Sequence, residues 1–159
     1  MAINVKKIEI KSVSDASGFD EWIKSGDIQA DEVVAVIGKT EGNGGVKDFT
    51  RILSDQAFRK VLLDRGTRSE ADIKEIPMVW SGGCDGIITP HAVAFSSDSK
   101  KGSNDKDRLV MGTAMSEELL PEDIGRPEMV EKVSAAVRAA MNNAGIEDPN
   151  NVHYVQTKT

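Results

Sequence analysis

The sequence predicts an α+β fold made of repeated units of sheet and helices, with one complete unit and the beginning of the next. Three observations support this prediction. An apolar run at 33–37, followed by a glycine-rich loop, is typical of a buried strand. Two longer segments, 48–64 and 127–144, carry apolar residues at helical spacing. The end of the chain, 152–159, repeats the pattern of 33–40.

The chain opens with a strand and a short helix. Apolar residues partly alternate over 5–10, which is typical of an extended segment. The segment 14–24 is predicted to be a helix because Ser14 or Asp15 can cap it and apolar residues follow at helical spacing. Gly26 ends this helix.

A buried strand and a long helix come next. The strand 33–38 leads into the glycine-rich loop 38–45, where backbone can approach a ligand closely. The helix 48–64, which Gly66 ends, is predicted to bury one apolar face. The apolar residues of that face are Phe49, Ile52, Leu53, Phe58, Val61 and Leu62.

Two further strands, 77–80 and 91–95, complete the first repeat, which we assign to 1–96. The segment 97–107 is rich in Ser, Lys and Asp and contains no apolar residue, so it is predicted to be a linker. The incomplete second repeat occupies 108–159.

The second repeat is predicted to contain a strand at 108–115, an amphipathic helix at 127–144 that Gly145 ends, and a strand at 151–159. Two strands and one helix are marginally stable alone. Either this unit packs on the first repeat, or another polypeptide completes it. We favour a complementary polypeptide segment, either lost by truncation or carried by a second chain after cleavage behind Thr159.

Evidence for the repeat comes from aligning the end of the chain with 33–40. Lys158 falls on Lys39, and valines and a threonine also coincide. A chance match is the alternative interpretation, because the identities are few. The shared order of elements favours the repeat.

Composition excludes several classes of protein. A net charge of −6 without a stripe of Lys and Arg argues against a nucleic-acid partner. No signal sequence follows Met1 and no run of about 18 apolar residues occurs, so we expect no membrane association and a cytoplasmic location. The single cysteine, Cys84, rules out an internal disulfide and gives no metal site with the two histidines.

Polar groups stand where two of the predicted strands end. Lys39 follows the strand 33–38, and Ser81, Gly82 and Gly83 follow the next strand. We interpret the two loops as walls of one small polar pocket. The Ser-Gly-Gly sequence offers a hydroxyl and unobstructed N–H groups, which suit either a nucleophile beside an oxyanion hole or a passive cradle for a substrate carbonyl.

Arg51 lies in the first turn of the predicted helix 48–64, where the helix dipole disfavours a cation. An anionic ligand beside Lys39 would explain this position. A solvated arginine is the alternative.

The glycine-rich loop does not match a nucleotide-binding motif. A P-loop requires a glycine five residues before Gly38, where Val33 stands. The loop also does not fit the dinucleotide fingerprint at a strand-to-helix turn. We therefore expect no nucleotide cofactor.

A serine nucleophile would need a base. His91 and His153 have no suggestive placement and are interpreted as structural, although a Ser-His-Asp triad stays open. Lysine is the remaining base, provided that burial or neighbouring cations lower its pKa. Cys84 is an alternative nucleophile, with core packing as its commoner role.

Three stretches resemble one known family. They are GKTEGNGG with DFTR at 38–45 and 48–51, SGGCDGIITPH at 81–91, and HYVQTKT at 153–159. In these motifs the chain resembles the ring-opening amidohydrolases, the family of cyanuric acid hydrolase and barbiturase. The resemblance implies three similar repeats around a pseudo-threefold axis, of which this chain holds the first and the opening of the second.

The resemblance also implies roles for individual residues. Each repeat of the family gives a Lys, an Arg and a Ser-Gly-Gly to a central site, and Lys158 matches the lysine that serves as base for the nucleophilic serine of the second repeat. That serine is expected beyond Thr159, and the metal site of the family belongs to the same missing part. The residues that match the substrate-binding set of the first repeat are Lys39, Arg51, Ser81, Gly82 and Gly83.

One departure from the family pattern concerns the substrate. The usual sequence motif of the family at this position is SGGTEG, whereas this chain has SGGCDG. Cys84 and Asp85 therefore replace Thr and Glu beside the expected pocket.

The resemblance, together with these features, implies a hydrolase that opens a small planar cyclic imide or ureide by a Ser-Lys mechanism, without a cofactor. This chain would be one part of the complete enzyme, which we expect to form a homo-oligomer. Two alternatives remain. One is a self-cleaved enzyme whose following chain begins with a Ser, Thr or Cys nucleophile, and the other is a non-catalytic ligand-binding subunit.

Overall fold

Four strands form one mixed sheet in the first part of the chain. The computed structural model describes residues 2–84, 86–98 and 109–158. The strands are β1 (Ala2–Glu9), β2 (Val33–Lys39), β3 (Met78–Ser81) and β4 (His91–Asp98), in the spatial order β1-β4-β2-β3. β4 pairs antiparallel with both β1 and β2, whereas β2 and β3 run parallel.

Four α-helices accompany the strands within the described residues. They are α1 (Ser17–Lys24), α2 (Thr50–Arg65), α3 (Glu70–Lys74) and α4 (Pro127–Asn143). α2 and α3 form the crossover that parallel β2 and β3 require. The α+β prediction is confirmed, and α3 is an element that the sequence pattern did not reveal.

Aromatic rings join α1 and α2 to the sheet. Phe19 of α1 stacks on Phe58 of α2 with ring centroids 5.0 Å apart, and Phe58 meets Trp80 of β3 edge to face at 4.9 Å. Phe58 and Leu62 of α2 are buried, and Val61 packs against the same core. Burying these side chains provides the main stabilisation of the sheet and its helices.

The predicted apolar face of α2 is only partly correct. Phe49, Ile52 and Leu53 are exposed by 66%, 54% and 43%. Ser54 is the first buried residue of α2, and its hydroxyl donates to the carbonyl of Val13 at 2.7 Å. The prediction failed at the start of the helix because α2 meets the core only from Ser54 onwards.

The chain divides into two compact units, Met1–Arg108 and Leu109–Thr159. β4 continues to Asp98, so Ser97 and Asp98 belong to a strand rather than to the predicted linker. The rest of that linker lies outside the described residues, as do Asp85, Arg108 and Thr159.

The second unit contains α4 but no strand in its described part. The strands predicted at 108–115 and 151–159 are therefore wrong for the residues that the structure describes. A strand needs a partner to complete its backbone hydrogen bonds, and neither segment has one there. The stretch 109–115 instead lies along α4, where the Asn143 side chain donates to the Thr113 carbonyl at 2.9 Å.

One ion pair anchors the start of the second unit. Lys132 of α4 approaches Asp123 to 2.6 Å and also donates to the carbonyl of Glu118 at 2.7 Å. Asp123 is the one buried residue among those described in 109–158. Across the described part of the chain, no helix combines the length and the apolar character needed to cross a membrane.

Candidate functional site

The parallel pairing of β2 and β3 brings Lys39 and Ser81 side by side. These residues are the last of their strands and are partners in the register. The Lys39 ammonium group donates to the carbonyl of Gly82 at 2.5 Å and lies 3.4 Å from the hydroxyl of Ser81. Two residues far apart in sequence thus form one polar cluster because the carboxyl ends of parallel strands meet.

The register extends this cluster into a row across the sheet. Glu9 of β1 pairs with His91 of β4, and His91 pairs with Lys39 of β2. Because side chains alternate along strands, the row of Glu9, His91, Lys39 and Ser81 lies on one face of the sheet. The preceding row, which includes Gly38 and buried Trp80, belongs to the opposite face, where the helices pack.

Gly38 is required by this arrangement. A Cβ atom at this position would overlap the ring of Trp80. Because glycine has no Cβ atom, the indole of Trp80 can fill the core directly beneath the strand end that carries Lys39. This packing holds the backbone of the cluster rigidly.

The two glycine loops that follow β2 and β3 contact each other. The N–H of Gly83 donates to the carbonyl of Gly42, and the N–H of Thr40 donates to the carbonyl of Ser81 at 2.8 Å. Gly44 and Gly83 adopt positive φ angles of 74° and 80°. Glycine takes this conformation without strain, so both loops can turn back sharply beside the cluster.

A buried carboxylate, that of Asp48, connects the loop after β2 to the start of α2. It accepts hydrogen bonds from the N–H of Gly44 at 2.8 Å, from the N–H of Thr50 at 3.0 Å and from the Thr50 hydroxyl at 2.5 Å. The hydroxyl of Thr50 lies 2.9 Å from that of Thr40, at the end of β2.

These contacts favour the ionised form of Asp48. The hydrogen bond from the Thr50 hydroxyl holds the pKa of Asp48 below its usual value, against the opposing effect of burial. The N–H groups of Gly44 and Thr50 and the charge of Arg51 also lower this pKa.

Arg51 has an anionic partner within the chain. Its Nε lies 3.9 Å from an oxygen of Asp48, and its Nη2 donates to the carbonyl of Gly45 at 2.7 Å. A third of the Arg51 side chain is exposed. Asp48 therefore gives a structural reason for a cation in the first turn of α2, where the sequence suggested an anionic ligand.

Cys84 does not face the polar cluster as an exposed nucleophile. It is 1% exposed, and its thiol donates to the carbonyl of Thr40 at 3.0 Å. This contact ties the loop after β3 to the end of β2. In the described part of the chain, no three His, Cys, Asp or Glu residues are grouped so that they could hold a metal ion.

The structure brings Lys39, Ser81, Gly82 and Gly83 together where β2 and β3 end, whereas Arg51 contacts the loop after β2 at Gly45. Ser81 is exposed and Lys39 is half-buried, so the cluster lies at the surface of this unit. Lys158 belongs to the second unit, where it is exposed, and its role as a base stays a prediction.

Sequence reasoning missed Asp48, Thr50 and Thr40, which organise the two loops. A signal for Asp48 and Thr50 was present. Asp followed two residues later by Thr at the start of a helix is a common side-chain-to-backbone turn, and it stands here between a glycine loop and a helix.

Comparisons with known proteins agree on one family. A family model described as amidohydrolase ring-opening protein matches residues 4–159. The chain is 57% identical over 159 residues to a protein named Barbiturase 2 from Nocardioides sp., covering 99% of this chain and 43% of that protein. It is 54% identical over 164 residues to Barbiturase 1 from the same organism, covering 99% of this chain and 44% of that one.

A solved structure shares the fold. It is described as cyanuric acid hydrolase, an evolutionary innovation by structural concatenation, and it superposes with a TM-score of 0.84 at 32% identity. The match covers 96% of this chain and 43% of the solved one. The chain therefore spans less than half the length of the relatives that it matches.

Proposed function

Because this chain belongs to the ring-opening amidohydrolase family, we propose that it forms the first part of an enzyme that hydrolyses one C–N bond of a cyclic amide. The observation that best supports this function is the cluster of Lys39, Ser81 and Gly82 at the meeting strand ends, with Arg51 beside it. Two cations and a Ser-Gly-Gly turn suit a planar ring that carries several carbonyl oxygens.

In this proposal the first unit binds the substrate. Lys39 and Arg51 donate hydrogen bonds to ring oxygens, and the Ser81 hydroxyl contacts the ring. Because the N–H of Gly83 already donates to Gly42, we assign the predicted backbone donor for a ring carbonyl to Gly82. The Lys39 ammonium exchanges part of its present contact with Gly82 for the substrate.

A complementary segment, corresponding to the rest of the relatives' length, would supply the nucleophilic serine. Its Oγ forms a bond to a ring carbonyl carbon while Lys158 takes the hydroxyl proton. The C–N bond then breaks, and the leaving nitrogen receives that proton. Water hydrolyses the acyl-serine to a carboxylic acid, which restores the serine.

Barbituric acid is the first substrate to test, because the two relatives named barbiturase are 57% and 54% identical, against 32% for the cyanuric acid hydrolase structure. The second is cyanuric acid. Both rings carry three carbonyl oxygens that the proposed donors can bind. In cyanuric acid three N–H groups separate the carbonyls, whereas in barbituric acid one of these groups is a CH2.

The test is a ring-opening assay of the complete enzyme, with barbituric and cyanuric acids compared. Substituting Lys158→Ala is expected to lower kcat about 10²- to 10⁴-fold, because the serine loses its base. The matched control is Lys60→Ala. Lys60 is an exposed lysine of α2 whose ammonium group pairs with Asp64, and its substitution should leave kcat unchanged. Ring opening that survives Lys158→Ala would contradict the assignment of the base.

A further inference from the structure

The Asp48 carboxylate is the point at which the substrate-binding elements of the first unit converge. Its side chain is completely shielded from solvent, although it lies between two surface loops and the first turn of α2. We propose that Asp48 is a positioning residue: it fixes the Arg51 guanidinium and the spacing of the two glycine loops, and so determines where the ring oxygens of the substrate bind. This assignment rests on the proposed function.

The first argument is the number of donors that Asp48 satisfies. Three donors, the N–H groups of Gly44 and Thr50 and the Thr50 hydroxyl, point to its two oxygens. A neutral amide of the same shape could not accept all of them, because one of its two polar atoms is itself a donor. The arrangement therefore requires a carboxylate.

The second argument is that Asp48 fills the space between the two loops. A Cβ atom at Gly42 or at Gly82 would overlap the Asp48 carboxylate. The loop after β2 and the loop after β3 can approach this closely only because both positions are glycine. Moving the carboxylate would change the distance from Gly44 to Gly82, and with it the position of the proposed carbonyl donor.

The third argument concerns the direction of Arg51. Asp48 attracts its Nε side, while the Gly45 carbonyl accepts from Nη2. These two contacts hold the guanidinium against the glycine loop and leave its other N–H groups for a ligand. Without the Asp48 charge, the guanidinium would keep the Gly45 contact as its anchor among the described residues.

A second aspartate of the same unit provides a matched control. Asp31 accepts from the N–H of Thr67 at 2.9 Å and from the Thr67 hydroxyl at 2.7 Å, and so anchors a turn much as Asp48 does. Its partners, Thr67 and Arg68, follow α2, whereas those of Asp48 lie in the loop before α2 and in the first turn of that helix. Asp31 thus reproduces the chemistry of Asp48 without its contact to the site.

The experiment measures KM and kcat for ring opening by the complete enzyme carrying Asp48→Asn, with Asp31→Asn as control. We expect Asp48→Asn to raise KM about tenfold or more with a smaller change in kcat, because a charged contact to a binding group is lost. Asp31→Asn should leave KM unchanged. An equal effect of the two substitutions on KM would overturn the assignment.

A double-mutant cycle with Arg51→Ala separates positioning from a general loss of structure. If Asp48 acts through Arg51, Asp48→Asn should change KM much less in the Arg51→Ala background than in the wild type. Additive effects on KM would overturn the assignment of Arg51 as the group that Asp48 positions.

Folding and function can be distinguished within the same set of variants. If Asp48→Asn does not fold, Thr50→Val is measured instead, because it removes the hydroxyl that donates to Asp48. Its control is Thr67→Val, which removes the corresponding hydroxyl donor to Asp31. Thr50→Ser keeps this hydroxyl group and should therefore show the wild-type KM, unlike Thr50→Val. A wild-type enzyme that opens no cyclic amide would refute the proposed function together with this assignment, whereas an active enzyme with unchanged KM in Asp48→Asn would refute the assignment alone.

Discussion

Two segments with similar residues have different structures in the two units. β2, with valines at 33 and 36 and Lys39 at its end, is paired on both sides, with β4 and with β3. The segment 152–158 has valines and a lysine at the corresponding positions but forms no strand in the described part of the second unit. Neighbouring strands, and not local sequence alone, therefore decide whether this pattern becomes a strand.

The two long helices differ in the same way. α2 buries Phe58 and Leu62 against the sheet, whereas α4 buries none of its residues in the described structure. Both helices carry apolar residues at helical spacing. An amphipathic pattern thus indicates a face that needs a partner, but it does not reveal whether the same chain provides that partner.

Hydrogen exchange provides the strongest test of this comparison. In the 159-residue chain, amides of residues 36–39 in β2 should open with the free energy of global unfolding, about 5 kcal/mol or more, because this part of the strand is paired on both edges. Amides of 152–158 should open at almost no cost. Strong protection of 152–158 in this chain would contradict the difference between the units.

The same measurement on the complete enzyme sharpens the comparison. If the complementary segment of the proposed enzyme pairs with 152–158, these amides should become protected there. Amides of residues 36–39 in β2 serve as the internal reference, because these residues already pair with both β3 and β4.

A smaller effect is expected from deleting matched leucine side chains. Leu62→Ala should cost about 2 to 5 kcal/mol in the free energy of unfolding, because it leaves a cavity in the core of the first unit. Leu109→Ala should change it by less than about 0.5 kcal/mol, because Leu109 is 75% exposed. Urea denaturation of the 159-residue chain measures both, and equal costs would show that the second unit has a core of its own.

Sequence patterns predicted the elements of the first unit well because it contains all the partners that they need. The strand 33–38 is observed as Val33–Lys39, and the helix 48–64 as Thr50–Arg65. The short helix α3 was missed, since five residues are too few to show a periodicity. In the second unit only the helix 127–144 was predicted correctly, because a helix completes its own hydrogen bonds and a strand does not.

The part of the candidate site that lies at the ends of strands could be predicted from the sequence. Lys39 and Ser81 were identified because each ends a strand, and parallel pairing joins them in the structure. Asp48 escaped notice because its importance lies in contacts with residues of a folded loop. Gly42 and Gly82 are far apart in sequence, so the sequence did not indicate that both lie against the Asp48 carboxylate.

The smallest expected effect concerns pH and the aspartates that anchor turns. The hydrogen bond from the Thr67 hydroxyl lowers the pKa of Asp31, so the folded chain binds fewer protons at this group than the unfolded chain, whose aspartates have a pKa of about 3.9. Its stabilising contribution is therefore complete above that value and is lost as the pH falls through the folded pKa.

Asp31→Asn should accordingly lower the free energy of unfolding by about 1 kcal/mol at pH 7 and by progressively less as the pH falls below about 4. Asp123→Asn is the matched change in the second unit, where Lys132 lowers the pKa of Asp123. It should leave the unfolding of the sheet unchanged, because the hydrogen bonds of the Asp123 carboxylate are made with Leu120 and Lys132 of the same unit. Urea denaturation between pH 3 and 7, followed by the fluorescence of the buried Trp22 and Trp80, measures both effects. A loss at pH 7 that persisted undiminished to pH 3 would mean that Asp31 stabilises the turn through its shape and not through its charge.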